Sequence, residues 1–140
     1  MMASGAEAAP RLTLDTSAYS HLRAGHEVVL DLASAADSIF VPVTVLGELY
    51  GAFELGSRVQ ENLVALAEFL SEPFVTVVSS TPSVGRHYGR IYSTLRRAGT
   101  PIPVNDMWIA ATTFETGSCL LTFDTDFASV QGLDTLVLEA

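Results

Sequence analysis

The sequence predicts an α/β domain, with a central parallel sheet of four or five strands covered by helices on both faces. Short apolar or β-branched runs alternate with longer stretches whose apolar residues recur at helical spacing. That alternation is the pattern of parallel strands joined by crossover helices. The chain has 140 residues, 49% of them hydrophobic, and no internal repeat. It is long enough for one domain that buries roughly 70% of the surface exposed by the unfolded chain.

The elements follow in order. Arg11-Leu12-Thr13-Leu14 is a first strand ending at Asp15. Asp15-Thr16-Ser17 supplies helix N-cap chemistry for a short helix carrying Tyr19 and Leu22, broken at Gly25. His26 to Asp37 places Val28, Val29, Leu32 and Ala36 at helical spacing. Ile39-Phe40-Val41 is a second strand, stopped by Pro42. Thr44 opens a helix with Leu46, Leu49, Tyr50 and Phe53 on its apolar side, ending near Gly56. Val59 to Leu70 repeats the helical pattern, and Phe74 to Val78 is a β-branched third strand. Pro82 sits near the first turn of a helix running to about Gly99. After a rigid loop holding Pro101 and Pro103, Asn105-Asp106 begins a helix ended by Gly117. Cys119 to Phe123 is a fourth strand, Asp124 to Val130 a turn, and Thr135 to Leu138 a final strand. Residues 11–140 therefore read as a single domain, preceded by a flexible tail from Met1 to Pro10.

Composition excludes several classes. No apolar stretch approaches the roughly 18 residues of a membrane span. The N-terminus has neither the basic start nor the hydrophobic centre of a signal peptide. The single cysteine, Cys119, lies in an apolar run and reads as a buried thiol, which suits a reducing cytoplasm. The formal net charge is −9, and all seven basic residues are arginine. Such a chain has little general affinity for nucleic acid, because backbone binding needs many cations. The charge is unevenly spread, however. From Pro73 to Asn105 there is no acid, and that stretch holds Arg86, Arg90, Arg96, Arg97 and His87.

The acids carry the functional signal. In an open α/β sheet, ligands bind beyond the carboxyl ends of the strands. Asp15 ends the first strand, Asp124 follows the fourth with Asp126 close behind, Asp106 starts a helix, and Glu48 lies one turn into the helix after the second strand. Carboxylates gathered without a partner repel and are costly to bury. A divalent cation removes that cost. Oxygen ligands without His or Cys suit Mg²⁺ or Mn²⁺ rather than zinc. Each acid also has a structural explanation: Asp15 and Asp106 as helix caps, Asp124 and Asp126 as turn formers. Glu48 is the hardest to explain that way, because its neighbours are largely apolar. His21, His26 and His87 lack ligand spacing and read as surface or packing residues.

Four segments resemble the motifs of PIN-domain nucleases, in the family's order. They are Leu12-Thr13-Leu14-Asp15-Thr16-Ser17, Val45-Leu46-Gly47-Glu48-Leu49-Tyr50-Gly51, Asn105-Asp106-Met107-Trp108-Ile109-Ala110-Ala111 and Leu121-Thr122-Phe123-Asp124-Thr125-Asp126-Phe127. Each alone is weak, but together they span most of the chain. The short length most resembles the VapC-type toxins of bacterial toxin–antitoxin pairs. The resemblance implies a three-layer PIN-like fold, Mg²⁺- or Mn²⁺-dependent cleavage of RNA, inhibition by a VapB-like antitoxin, and homodimerisation. It assigns Asp15, Glu48, Asp106 and Asp124 to the catalytic acidic site, and makes Thr16, Ser17, Asn105 and Thr122 supporting polar residues. Asp126 shares or replaces the role of Asp124.

The chemistry expected of such a site is hydrolysis of an RNA phosphodiester. Asp15 and Asp106 would be the main metal ligands, with Asp124 or Asp126 completing the shell of a second ion. Glu48 would bind metal or orient the attacking water. Arg86, Arg90 and Arg97 share a helix face by spacing and would track the RNA backbone, although a solvated face explains them equally well. The absence of lysine argues against a phosphoacceptor receiver domain, which has a similar layout. A non-catalytic RNA-binding or protein-interaction module of the same fold is the remaining alternative.

Overall fold

The computed structural model describes residues 10–140; of the tail expected over Met1–Pro10, all but Pro10 lies outside the described residues. The strands are β1 (Arg11–Leu14), β2 (Ser38–Pro42), β3 (Val75–Val78), β4 (Cys119–Thr122) and β5 (Thr135–Val137). The helices are α1 (Thr16–Arg23), α2 (Glu27–Ala35), α3 (Val43–Leu55), α4 (Val59–Leu70), α5 (Pro82–Ala98) and α6 (Val104–Thr116), followed by a 3-10 turn over Thr125–Ser129. The strands form one five-stranded sheet in the order β3-β2-β1-β4-β5. Every pairing is parallel, with Leu12 beside Ile39 on one side and Cys119 on the other.

This order places β1 at the centre. The chain leaves β1 toward β2 and β3, then returns to build β4 and β5 on the opposite side. The reversal makes a crevice at the carboxyl ends of β1 and β4, where open α/β sheets place their ligands. Asp15 follows β1 and Asp124 follows β4 closely, so topology alone brings them to one place.

The core explains why the central strands are apolar throughout. Leu14, Ile39, Leu120 and Leu121 are fully buried, as are Val45 of α3, Leu66 of α4 and Val84 of α5. Burying each such side chain contributes on the order of 1.5–3 kcal/mol. Polar groups inside are mostly paired. Thr13 Oγ1 and Ser118 Oγ lie 2.6 Å apart, and Ser118 Oγ is 2.8 Å from Thr116 Oγ1. The Tyr19 hydroxyl is the exception among the described residues: it is buried and has no hydrogen-bond partner.

Helix ends follow local chemistry. Asp15, His26 and Thr81 cap α1, α2 and α5 by accepting from a backbone amide three residues on. Gly99 and Gly117 close α5 and α6 at φ 71° and 60°, in the left-handed region that glycine enters without steric cost. Three expectations need adjustment. Pro42 belongs to β2 and pairs in register with Val78, which is possible because it is the last residue of its strand. Helix α3 starts at Val43 rather than Thr44. Helix α6 starts at Val104 after Pro103, so Asp106 lies within the first turn and makes no capping hydrogen bond. Its reading as a helix cap is therefore overturned.

Candidate metal centre

The site assembles from three helix N-termini and the turn after β4. Asp15 is 5% exposed and fully engaged. Its Oδ1 accepts from the Ala18 amide at 2.8 Å and from Ser17 Oγ at 2.7 Å, while Oδ2 accepts from Thr122 Oγ1. Asp15 is thus both a helix cap and a member of the acidic group. Burial pushes its carboxyl above the usual range, the bonds from Thr122, Ala18 and Ser17 pull it back, and the charge of Asp124 pushes it up again.

Two hydroxyls join this cap to β4. Thr122 Oγ1 also accepts from the Asp124 amide at 3.0 Å, and Ser17 Oγ accepts from the Phe123 amide at 3.0 Å. Asp124 Oδ1 in turn accepts from the Asp126 amide at 2.8 Å, forming the start of the 3-10 turn. Asp124 is therefore a turn former as well as a site residue.

Asp106, Asp124 and Asp126 each present a carboxylate oxygen, and these oxygens all lie within 4.8 Å of one another. Asp106 and Asp124 are half-buried, and Asp126 is exposed. Burial first, then the charges of Asp124, Glu48, Asp15 and Asp126, push Asp106 up to about 7. A half-buried carboxyl surrounded by four other acids is a group short of a counter-charge. The hard oxygen donors present fit a divalent cation such as Mg²⁺ or Mn²⁺. Asp15 adjoins this triad and is not part of it.

Glu48 is held by two donors from other helices. Its Oε1 accepts from Thr16 Oγ1 at 2.5 Å, and its Oε2 accepts from Asn105 Nδ2 at 3.2 Å. The carboxylate therefore clasps α1, α3 and α6 together. Its surroundings are wetter than the apolar sequence suggests, because Gly47, Tyr50 and Gly51 of the same helix are exposed.

All nine residues expected at the acidic site and around it are thus brought to one crevice. The three arginines are not. Arg86, Arg90 and Arg97 are exposed on α5 and make no hydrogen bond or ion pair with the acids of the crevice among the described residues. One supporting group escaped sequence reasoning. Phe123, between Thr122 and Asp124, stacks on His21 with ring centroids 3.7 Å apart and meets His26 edge-on at 5.1 Å. Nothing in the spacing of these residues signals a contact that only the fold creates.

Comparisons with known proteins agree with this geometry. A family model described as the PIN domain matches residues 12–133. Ribonuclease VapC1 of Haemophilus influenzae (strain R2866) is 34% identical over 80 residues, which are 57% of this chain and 58% of that protein. The chain thus matches little more than half the length of that relative. Ribonuclease VapC5 of Mycobacterium tuberculosis (strain ATCC 25618 / H37Rv) is 27% identical over 119 residues, 85% of this chain and 87% of that protein. Among solved structures, VapBC2 from Rickettsia felis, bound to a promoter DNA fragment, is similar in fold with a TM-score of 0.81. It is 20% identical, and the match covers 92% of this chain and 99% of that one. With its four motifs converging on one crevice of a parallel sheet and the family match spanning all four, this chain belongs to the PIN domain family.

Proposed function

We propose that the protein is a divalent-metal-dependent endoribonuclease, acting as the toxin of a type II toxin–antitoxin pair. The observation that carries this is the triad of Asp106, Asp124 and Asp126, whose oxygens lie within 4.8 Å of one another. The names of the ribonuclease relatives support the RNA substrate. Residues 11–140 act as one domain in this reading.

Asp106, Asp124 and Asp126 would hold Mg²⁺ or Mn²⁺, with Asp15 beside them. A bound ion of this kind supplies Lewis-acid stabilisation of phosphate charge and activates water for attack. The chain's own residues set the geometry. Three donors fix the Asp15 carboxylate, so its charge stays aimed at the triad. Thr16 and Asn105 fix Glu48 where it can orient a water toward the phosphate. Arg86, Arg90 and Arg97 offer cations to the RNA backbone at a distance from the cut.

The antitoxin of this reading is VapB-like and brings a basic segment to the acidic crevice, because Arg pairs two carboxylate oxygens at once. A cavity of about 310 Å³ between α1 and the α3–α4 pair is suited to the adjoining segment. It is lined by Tyr19, Ser20, Arg23, Leu49, Phe53 and Asn62, and so includes the residue with the unpartnered hydroxyl. A homodimer is part of the same proposal.

The test is cleavage of structured and single-stranded RNA by the purified chain with Mg²⁺ or Mn²⁺. Cleavage is expected to stop with EDTA and in Asp106→Asn. Activity undiminished in excess chelator, or equal in that variant, contradicts the reading.

A further inference from the structure

Away from the acidic crevice, a second cavity of about 320 Å³ opens between α5, the end of α6 and the segment after the 3-10 turn. Its size falls at the lower end of small-ligand sites, about 300–1,000 Å³. Ile91 and Leu95, both buried, and the Phe114 ring make an apolar floor. His87, Arg90 and Thr94 make a polar rim. No carboxylate lines it, although the chain carries 16 acids.

The rim is built rather than accidental. Arg90 Nη2 donates to His87 Nδ1 at 2.8 Å. His87 Nε2 lies 3.3 Å from Glu115 Oε1, which also accepts from Ser83 Oγ at 2.7 Å. The His87 ring lies nearly parallel to Phe114, with centroids 5.9 Å apart. His87 is therefore pinned from two sides, and it pins Arg90. Arg90 itself pairs with no carboxylate among the described residues. One corner of its guanidinium is used, and the rest of the planar fork, which matches phosphate oxygens, is free at the cavity rim.

We propose that this cavity is a nucleotide-binding subsite: a base rests on Ile91, Leu95 and Phe114, and its phosphate pairs with Arg90. The flat face of a base covers the floor, and a phosphate answers the unpaired Arg90 charge on the rim. An acidic peptide answers the charge and leaves the floor bare. The nucleotide comes either free in solution or as one unit of an RNA strand. Gln131 lines this cavity, and the chain from Asp124 to Gln131 can span at most about 25 Å, so a strand seated here reaches the acidic crevice within a few nucleotides. The RNA source rests on the ribonuclease reading; nucleotide binding itself does not.

The experiment is a chemical-shift titration of the isotopically labelled protein in EDTA, so that catalysis plays no part. The probes are adenosine monophosphate, adenosine, inorganic phosphate, a short single-stranded RNA and a glutamate-rich peptide. Adenosine monophosphate is expected to shift the signals of Ile91, Thr94, Phe114 and Gln131 saturably, and adenosine or phosphate alone at least tenfold more weakly. Arg90→Gln should weaken the mononucleotide tenfold or more. Thr94→Trp, at an exposed rim position, should block the cavity while keeping the metal-induced rise in melting temperature. If the RNA shifts the same signals and competes with the mononucleotide, the source is a strand; if only the mononucleotide does, it is a free nucleotide. No shift at these residues, equal binding of phosphate alone, or preference for the acidic peptide overturns the proposal. Loss of RNA cleavage with intact mononucleotide binding would count against the ribonuclease reading alone.

Discussion

Thr122 joins the carboxylate of Asp15 to the turn that begins at Asp124, donating its hydroxyl to the first and accepting the amide of the second. One side chain thus sets the separation of two acids that lie far apart in sequence. Thr122→Val keeps the shape and removes both bonds. It leaves a buried Asp15 oxygen unpaired, which costs about 1–3 kcal/mol. Denaturant unfolding should show that loss, and RNA cleavage should fall at least tenfold. Thr122→Ser should recover most of both. A valine variant as stable and active as wild type would show that the bond has no consequence.

The raised carboxyl of Asp106 makes a prediction about pH. Folded, it keeps its proton up to about pH 7; unfolded, it releases it near 3.8. Between those values the folded state binds more protons, so metal-free stability falls as pH rises across the window. Asp15, also raised, adds a contribution of the same sign. Melting temperature measured in EDTA from pH 4.5 to 7.5 should decline more steeply in wild type than in Asp106→Asn. Parallel curves would mean that Asp106 does not titrate in this range.

Metal should reverse that loss. An ion that binds only the folded state stabilises it by RT ln(1 + [L]/Kd), roughly 2.7 kcal/mol at a hundredfold excess over Kd. Titration with Mg²⁺ or Mn²⁺ at fixed ionic strength should raise the melting temperature of wild type, and much less that of Asp106→Asn. Asp124→Asn and Asp126→Asn separate the remaining ligands. Asn at 124 still caps the 3-10 turn, so a reduced metal response there reports ligation rather than folding. Equal responses in all four proteins would remove the triad from consideration.

The buried hydroxyl of Tyr19 gives a prediction of opposite sign. It has no partner, so Tyr19→Phe removes an unsatisfied polar group at little cost in packing. The variant should be as stable as wild type or about 1 kcal/mol more so. If a VapB-like antitoxin fills the neighbouring cavity as proposed, the affinity of the variant for it should drop. Destabilisation by calorimetry would indicate that a water already satisfies the hydroxyl.

Much of this was legible from the chain. Strand ends at Leu14 and Thr122 put Asp15 and Asp124 at one crevice, because a parallel sheet has only one carboxyl edge. The pairings of Glu48 with Thr16 and Asn105 were not legible, since they join residues 32 and 57 positions apart through three helices. The competing explanation of Asp106 as a cap falls to a detail that spacing does not show: Pro103 occupies the cap position and Val104 starts the helix. His21 and His26 were read as surface or packing residues. They pack against Phe123, and His26 also caps α2 through a contact that pattern reading passed over.

The central place of β1 has a consequence for the order of folding. β1 finds β2 soon after it in the chain, but its other neighbour, β4, lies 107 residues on. Pairing at such separation is slow and closes a long loop. Until then Asp15 has neither Thr122 to hold it nor Asp124 beside it. A chain folded only as far as α6 therefore carries Asp15, Glu48 and Asp106 and still has no centre. The acidic centre is therefore a late product of folding, made when β4 closes the sheet rather than when its first acid is in place.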